Sequence, residues 1–215
     1  MMHLKTASYH IAEAVVRLGF RFFTRTTIAG RENVPLRGPI LVVCNHIEMA
    51  DIPLLAAVLP RRLTFMAKEE LWLSPVLRVL ANWYQAFPVY RKAIDTTALR
   101  RSLAALKREQ ALVVFPEGTR SLQHASLLPG QPGAALIALR STAPVLPIAI
   151  TGTEKAKGLS WLWNRPKLVV NIGRPFTLVR TKDKSIKHQL GVDTRTIMQN
   201  IASLLPPSYH GAYGK

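Results

Sequence analysis

The sequence predicts a single α/β domain: a largely parallel or mixed sheet covered by helices, with a short N-terminal amphipathic helix. Three observations carry this. Short runs such as ILVVC (40–44) and ALVVF (111–115) are apolar at every position, as strands buried on both faces are. Segments of helical period separate them. A length of 215 residues with 48% hydrophobic content fits one domain with a sizeable core.

The elements follow in order. IAEAVVRLGFRFF (11–23) has helical periodicity, with Ile11, Val15, Leu18 and Phe22 on one face and basic residues at 5, 17, 21 and 25 beside it. Glu13, Arg17 and Arg21 interrupt it, so no apolar run of ~20 residues spans a membrane. The same charges make it a poor signal peptide. The stripe suits a membrane interface or a helix packed on the domain, and periodicity does not separate the two. TTIAGRENVPLRGP reads as a short strand and a turn-rich loop. ILVVC is the next strand, and Asp51 before Ile52-Pro53 predicts an N-capped helix over 52–59.

LTFMA (63–67) is a strand, and Ser74-Pro75 opens a helix with Leu77, Leu80 and Tyr84 on one face. FPVYR (87–91) is a short strand or extended segment. Asp95 to Thr97 caps a helix whose stripe is Leu99, Leu103 and Leu106. ALVVF is followed by a Gly- and Pro-rich loop, a helix in GAALIALRST, and strands in APVLPIAI (143–150) and KLVVNIG (167–173). Residues 151–166 read as a surface loop, with Trp161 and Trp163 tucked against the core in preference to a membrane interface. Asp193 is placed as the cap of a last helix with Ile197, Ile201 and Leu204 inward, ended by Pro206-Pro207.

Twenty-nine Lys and Arg face twelve Asp and Glu, a formal net charge of +17. Nucleic acid, anionic lipid and acidic small substrates all suit such a surface. The excess avoids two stretches: 38–59 has no Lys or Arg, and 111–150 has Arg120 and Arg140 alone. The single cysteine, Cys44, excludes an intrachain disulfide and a CxxC site. No His, Cys and Asp grouping has metal-ligand spacing, so no metal is expected; His124 and His188 read as bystanders on loops.

The two cation-poor stretches hold the chemistry. His46 follows the ILVVC strand and Asp51 starts the next helix. Ligands of open α/β sheets bind at that strand edge. A turn there can fold the carboxylate onto the imidazole, fixing its tautomer for proton abstraction. Alone, H-x4-D is a weak signal. The second constellation, FPEGTRS (115–121), follows ALVVF and gathers Glu117, Gly118, Thr119 and Arg120 in one turn. Gly allows close backbone approach, and an Arg fork grips phosphate or carboxylate. Cys44 lies two residues before His46, on the same strand face, as a buried core residue or, less simply, a nucleophilic relay.

Together, NHIEMAD (45–51), FPVYR (87–91), FPEGTRS (115–121) and APVLPIAI (143–150), in that order, resemble the glycerophospholipid acyltransferases of the 1-acylglycerol-3-phosphate type. AKEEL (67–71) and LLPPSYHGAY (204–213) add to the likeness, which runs from about residue 26 to 213. The expected organisation is the N-terminal amphipathic helix over 1–25, read from its periodicity, followed by the acyltransferase domain over 26–215 that the resemblance implies. It implies His46 as general base and Asp51 as its orienting partner. Arg91, Lys68 and Arg120 would meet the acceptor's phosphate, and Glu117, Gly118 and Thr119 would shape its site, with Pro147 nearby.

It further implies no cofactor, only an acyl-CoA or acyl carrier protein thioester as co-substrate. The acceptor would be a lysophospholipid, first of all 1-acylglycerol-3-phosphate. No nucleic acid is expected, and the place would be the cytoplasmic face of the membrane, peripherally attached. The aromatic-lysine pair that many members carry after FPEGTRS is absent, where this chain reads PGQPG (129–133). Three alternatives remain: an acyltransferase for another lysophospholipid or an amino-lipid acceptor, a non-catalytic basic protein that binds membrane or nucleic acid, and a hydrolase using His46 to activate water.

Overall fold

The structure is a computed structural model that describes residues 14–89, 95–121, 125–156, 161–181 and 185–214. Its strands are β1 (Arg25–Ala29), β2 (Ile40–Cys44), β3 (Leu63–Lys68), β4 (Phe87–Val89), β5 (Ala111–Val114), β6 (Val145–Thr151) and β7 (Lys167–Ile172). They form one sheet in the order β1-β7-β6-β2-β5-β3-β4. β6, β2, β5, β3 and β4 run parallel. β7 runs antiparallel to β6, and β1 pairs parallel with β7. The sheet is therefore mixed, as the sequence predicts.

The helices are α1 (residues 14–23), α2 (Asp51–Val58), α3 (Pro75–Trp83), α4 (Thr96–Lys107), α5 (Gly133–Ser141), α6 (Trp161–Asn164) and α7 (Ile186–Ala202). β2 is central and wholly buried, and its alternate residues feed two cores. Ile40, Val42 and Cys44 meet Leu54, Leu55, Ala56 and Val58 of α2, with Phe20 of α1 in the same cluster. Leu41 and Val43 meet the cluster of Leu106 in α4, Ala135 and Ala138 in α5, and Ile197 and Met198 in α7. A two-residue side-chain period and helices on both faces make a three-layer domain. Pro147 lies within β6 level with Val43, and its carbonyl accepts the Gly173 N–H.

One alternative left open is decided and three local expectations change. The α1 stripe faces outward: Val15, Leu18 and Phe22 are 63%, 53% and 59% exposed. Phe20 and Val16, off that stripe, make the contact with the core instead. The α4 stripe is shifted, with Ala98, Ser102, Ala105 and Leu106 buried. This happens because small residues let the helix approach α5 and the sheet closely. α7 starts earlier, at Ile186, where the Ser185 hydroxyl accepts the His188 N–H. Asp193 is buried in mid-helix, and the N-cap is Ser185. Trp163 is exposed, so it is not tucked against the core.

Beyond the end of β2, the buried side chain of Asn45 continues the pairing with β6. Its amide donates to the Ile150 carbonyl at 2.8 Å and accepts the Ile150 N–H at 2.8 Å. A side chain thus does what the next ladder rung would do, while the backbone turns away. Asn45→Ala leaves both groups of Ile150 buried and unpaired, at about 1–3 kcal/mol each. We expect a loss of about 2–5 kcal/mol in urea unfolding; an unchanged midpoint would contradict this role.

Candidate active site

Parallel strands bring their C-terminal ends to one edge, so the loops leaving β2 and β5 become neighbours. The first loop carries Asn45, His46 and Glu48 and ends at Asp51; the second is FPEGTRS (115–121). Two bonds join them at His46 itself. The His46 N–H donates to Glu117 Oε1 at 2.9 Å, and the His46 carbonyl accepts the Ser121 N–H at 2.8 Å. The imidazole stacks on Phe115 with ring centroids 4.0 Å apart and 17° between planes.

Asp51 is fully buried at the first position of α2. Its Oδ2 receives His46 Nδ1 at 2.8 Å, the Ile47 N–H at 2.7 Å and the Glu48 N–H at 2.8 Å. The sequence placed Asp51 as the helix cap. The residue at that position is instead Ala50, without a side-chain cap, and the carboxylate points back into the loop. It captures N–H groups that the turn leaves orphaned. A carboxylate accepts, so Nδ1 carries the hydrogen and Nε2 keeps its lone pair. That is the tautomer needed to take a proton from a hydroxyl.

Glu117 differs from its sequence-level reading. Both oxygens serve backbone donors: Oε1 takes His46 N–H, and Oε2 takes Leu128 N–H at 2.8 Å. It is a buried clamp between loops. Burial pushes its carboxyl up from 4.5 to about 7; the two N–H donors oppose this, and the Asp51 charge adds to it. The segment it holds is backed by the chain's end. The Leu127 N–H donates to the Tyr209 carbonyl at 2.9 Å, and the Gly130 N–H donates to the Tyr213 hydroxyl at 2.9 Å. This gives LLPPSYHGAY a structural reason that the sequence did not supply.

Gly118 turns the second loop with φ of +69°, in the left-handed region. Thr119 is exposed. Arg120 Nη1 donates to Glu48 Oε1 at 2.8 Å, so this guanidinium is held inside the site by a carboxylate. Lys68 ends β3 level with Val89 of β4, at the same sheet edge, and only its backbone path is described. Arg91 lies outside the described residues, as does His124. Cys44 is buried in the core, and burial, with Asp51 and Glu117 adding, raises its thiol well above the ordinary value. A protonated core thiol is no nucleophile. Asn45, Phe115 and the Leu128 N–H were missed by sequence reasoning; only Asn45, beside the histidine, left a readable signal.

Comparison with known proteins adds three findings. Residues 25–151 match the family model described as acyltransferase. The chain is 27% identical over 178 residues to a 1-acyl-sn-glycerol-3-phosphate acyltransferase of Bacillus subtilis, covering 82% of this chain and 86% of that one. It is 30% identical to a protein of the same name from Saccharomyces cerevisiae, covering 82% of this chain but 58% of that one. Among solved structures, the 1-acyl-sn-glycerophosphate (LPA) acyltransferase PlsC of Thermotoga maritima superposes with a TM-score of 0.67. At 22% identity, over 93% of this chain and 82% of that one, this shows a shared fold.

The Glu117 clamp carries a pH signature. The folded protein holds the Glu117 proton more tightly than the unfolded chain does. Stability therefore falls as pH rises from 4.5 to about 7, and levels off above that. Glu117→Gln, which removes the titrating carboxyl and gives up one of its two acceptors, should lower stability overall but flatten that part of a urea-midpoint profile. An unaltered slope would reject the assignment.

Proposed function

The chain belongs to the acyltransferase family, and from that premise we propose that it moves a fatty acyl group from a thioester to 1-acylglycerol-3-phosphate, giving phosphatidic acid. The observation that carries the reading is the His46–Asp51 pair, 2.8 Å apart at the sheet edge and fixed from both loops. The shared name of the relatives from Bacillus subtilis and Saccharomyces cerevisiae supports the acceptor.

In this mechanism, His46 Nε2 takes the proton of the acceptor's free hydroxyl, and Asp51 stabilises the imidazolium. The oxygen attacks the thioester carbonyl and a C–O bond forms. The tetrahedral species collapses with cleavage of the C–S bond. The departing thiolate takes the proton from His46, leaving ester, free thiol and neutral imidazole. No acyl-enzyme is involved. The donor is acyl-CoA or acyl carrier protein, no cofactor takes part, and the product serves phospholipid biosynthesis. Arg120, with Lys68 and Arg91, meets the acceptor phosphate; Gly118 and Thr119 border it.

Attachment is peripheral, at the cytoplasmic face of the membrane. Among the described residues no helix is long and apolar enough to cross a bilayer. The exposed Val15, Leu18 and Phe22 lie beside Arg17 and Arg21, a composition that suits an anionic lipid surface.

The test is thiol release from a panel of acyl-CoAs, with and without lysophosphatidate. The wild-type protein should release thiol only with acceptor present. His46→Ala should lose about two to four orders of magnitude with melting little changed, and Asp51→Asn at least about tenfold with some loss of stability. Release without acceptor would favour hydrolysis, and an active His46→Ala protein would overturn the mechanism.

A further inference from the structure

Glu48 sits between the proposed base and its partner, yet the reaction gives it no task. Its backbone N–H is bound to Asp51 Oδ2 at 2.8 Å. Its Oε1 accepts Arg120 Nη1 at 2.8 Å and the Met49 N–H at 3.0 Å. The Glu48 side chain is only 13% exposed against 36% for Arg120, so the carboxylate lies on the inner side of the pair. The catalytic turn therefore holds a negative charge against the cation that follows Gly118 and Thr119.

We propose that Glu48 is a specificity-determining residue, a built-in competitor for Arg120 that weakens the hold on an anionic acceptor headgroup. This rests on the acyl-transfer reading above. An incoming phosphate must displace the carboxylate or share the guanidinium with it. Arg has five donors, and one carboxylate oxygen at Nη1 leaves other N–H groups for sharing. Either route sets two like charges within a few ångströms, which costs roughly tenfold in affinity at a partly exposed site.

The headgroup phosphate sits on the carbon next to the one that bears the reacting hydroxyl, but it makes and breaks no bond in the reaction. Its interactions are therefore nearly equal in substrate, transition state and product. Such uniform binding moves KM and leaves kcat nearly alone. Product carries the same phosphate, so a weakened grip also shortens its stay. Glu48 does not touch the reacting atoms and is not a catalytic residue.

The probe is glycerol 3-phosphate, titrated by calorimetry into the resting full-length protein, wild type and Glu48→Gln. Gln keeps the backbone bond to Asp51 and removes the charge. The variant should bind about tenfold more tightly, and Arg120→Ala more weakly than wild type. With acyl-CoA and lysophosphatidate, Glu48→Gln should lower the acceptor KM by a similar factor with kcat within about threefold.

Equal or weaker binding by Glu48→Gln would overturn the proposal and make Glu48 a brace that positions Arg120. No binding by any of the three proteins would overturn it as well. Failure of wild-type turnover on lysophosphatidate, with glycerol 3-phosphate still bound more tightly by the variant, would reject the acceptor reading and leave the competition at Arg120 standing.

Discussion

One carboxylate oxygen organises this edge of the sheet. Asp51 Oδ2, with no exposure to solvent, gathers an imidazole N–H and two backbone N–H groups within 2.8 Å. Its Oδ1 has no hydrogen-bond partner among the described residues. Burying such a charge is unfavourable unless several donors meet it. The turn supplies them, because a chain leaving a strand and entering a helix within six residues cannot pair its own N–H groups. Tautomer, ring orientation and loop shape are thus consequences of one interaction. None of the three is adjustable without the others.

The second loop makes that arrangement rigid. His46 is bonded through both its N–H and its carbonyl, by Glu117 and Ser121, so its Cα cannot drift. Phe115 then stacks on the ring. Glu117 passes the restraint outward to Leu128, and the C-terminal segment fixes that stretch through Tyr209 and Tyr213. Each link is a backbone group satisfied by a distant side chain. That is how a loop site attains the precision of a strand.

Much of the fold was legible before any coordinates. Each strand run in the sequence became a strand, because uniformly apolar β-branched runs have few other uses. The His46–Asp51 pairing was legible too, since strand end and helix start bracket a turn too short to part them. What escaped was direction. Periodicity finds the α1 stripe but not which way it faces, and Phe20, off the stripe, turned out to be the anchor. Residue type marked Glu117 and Arg120 as ligand groups. It does not say that a carboxylate will spend both oxygens on backbone, or that the arginine will meet Glu48. Asp193 was misplaced because a local cap signal competes with tertiary packing, and Ser185 with a longer buried face prevailed.

The charge pattern has a further consequence. The chain carries +17, yet the described side chains of the two loops offer the carboxyl groups of Glu48, Asp51 and Glu117, the last pushed up to about 7 by burial, against the cation Arg120. The turn between β2 and α2 is therefore locally acidic inside a basic protein. The basic excess acts at longer range. An excess of this sign favours anionic partners in general, and screening within about 10 Å limits it to steering. Arg120 is the described cation of these loops, and it is paired with Glu48 at 2.8 Å, so any anion that meets this guanidinium also meets a carboxylate.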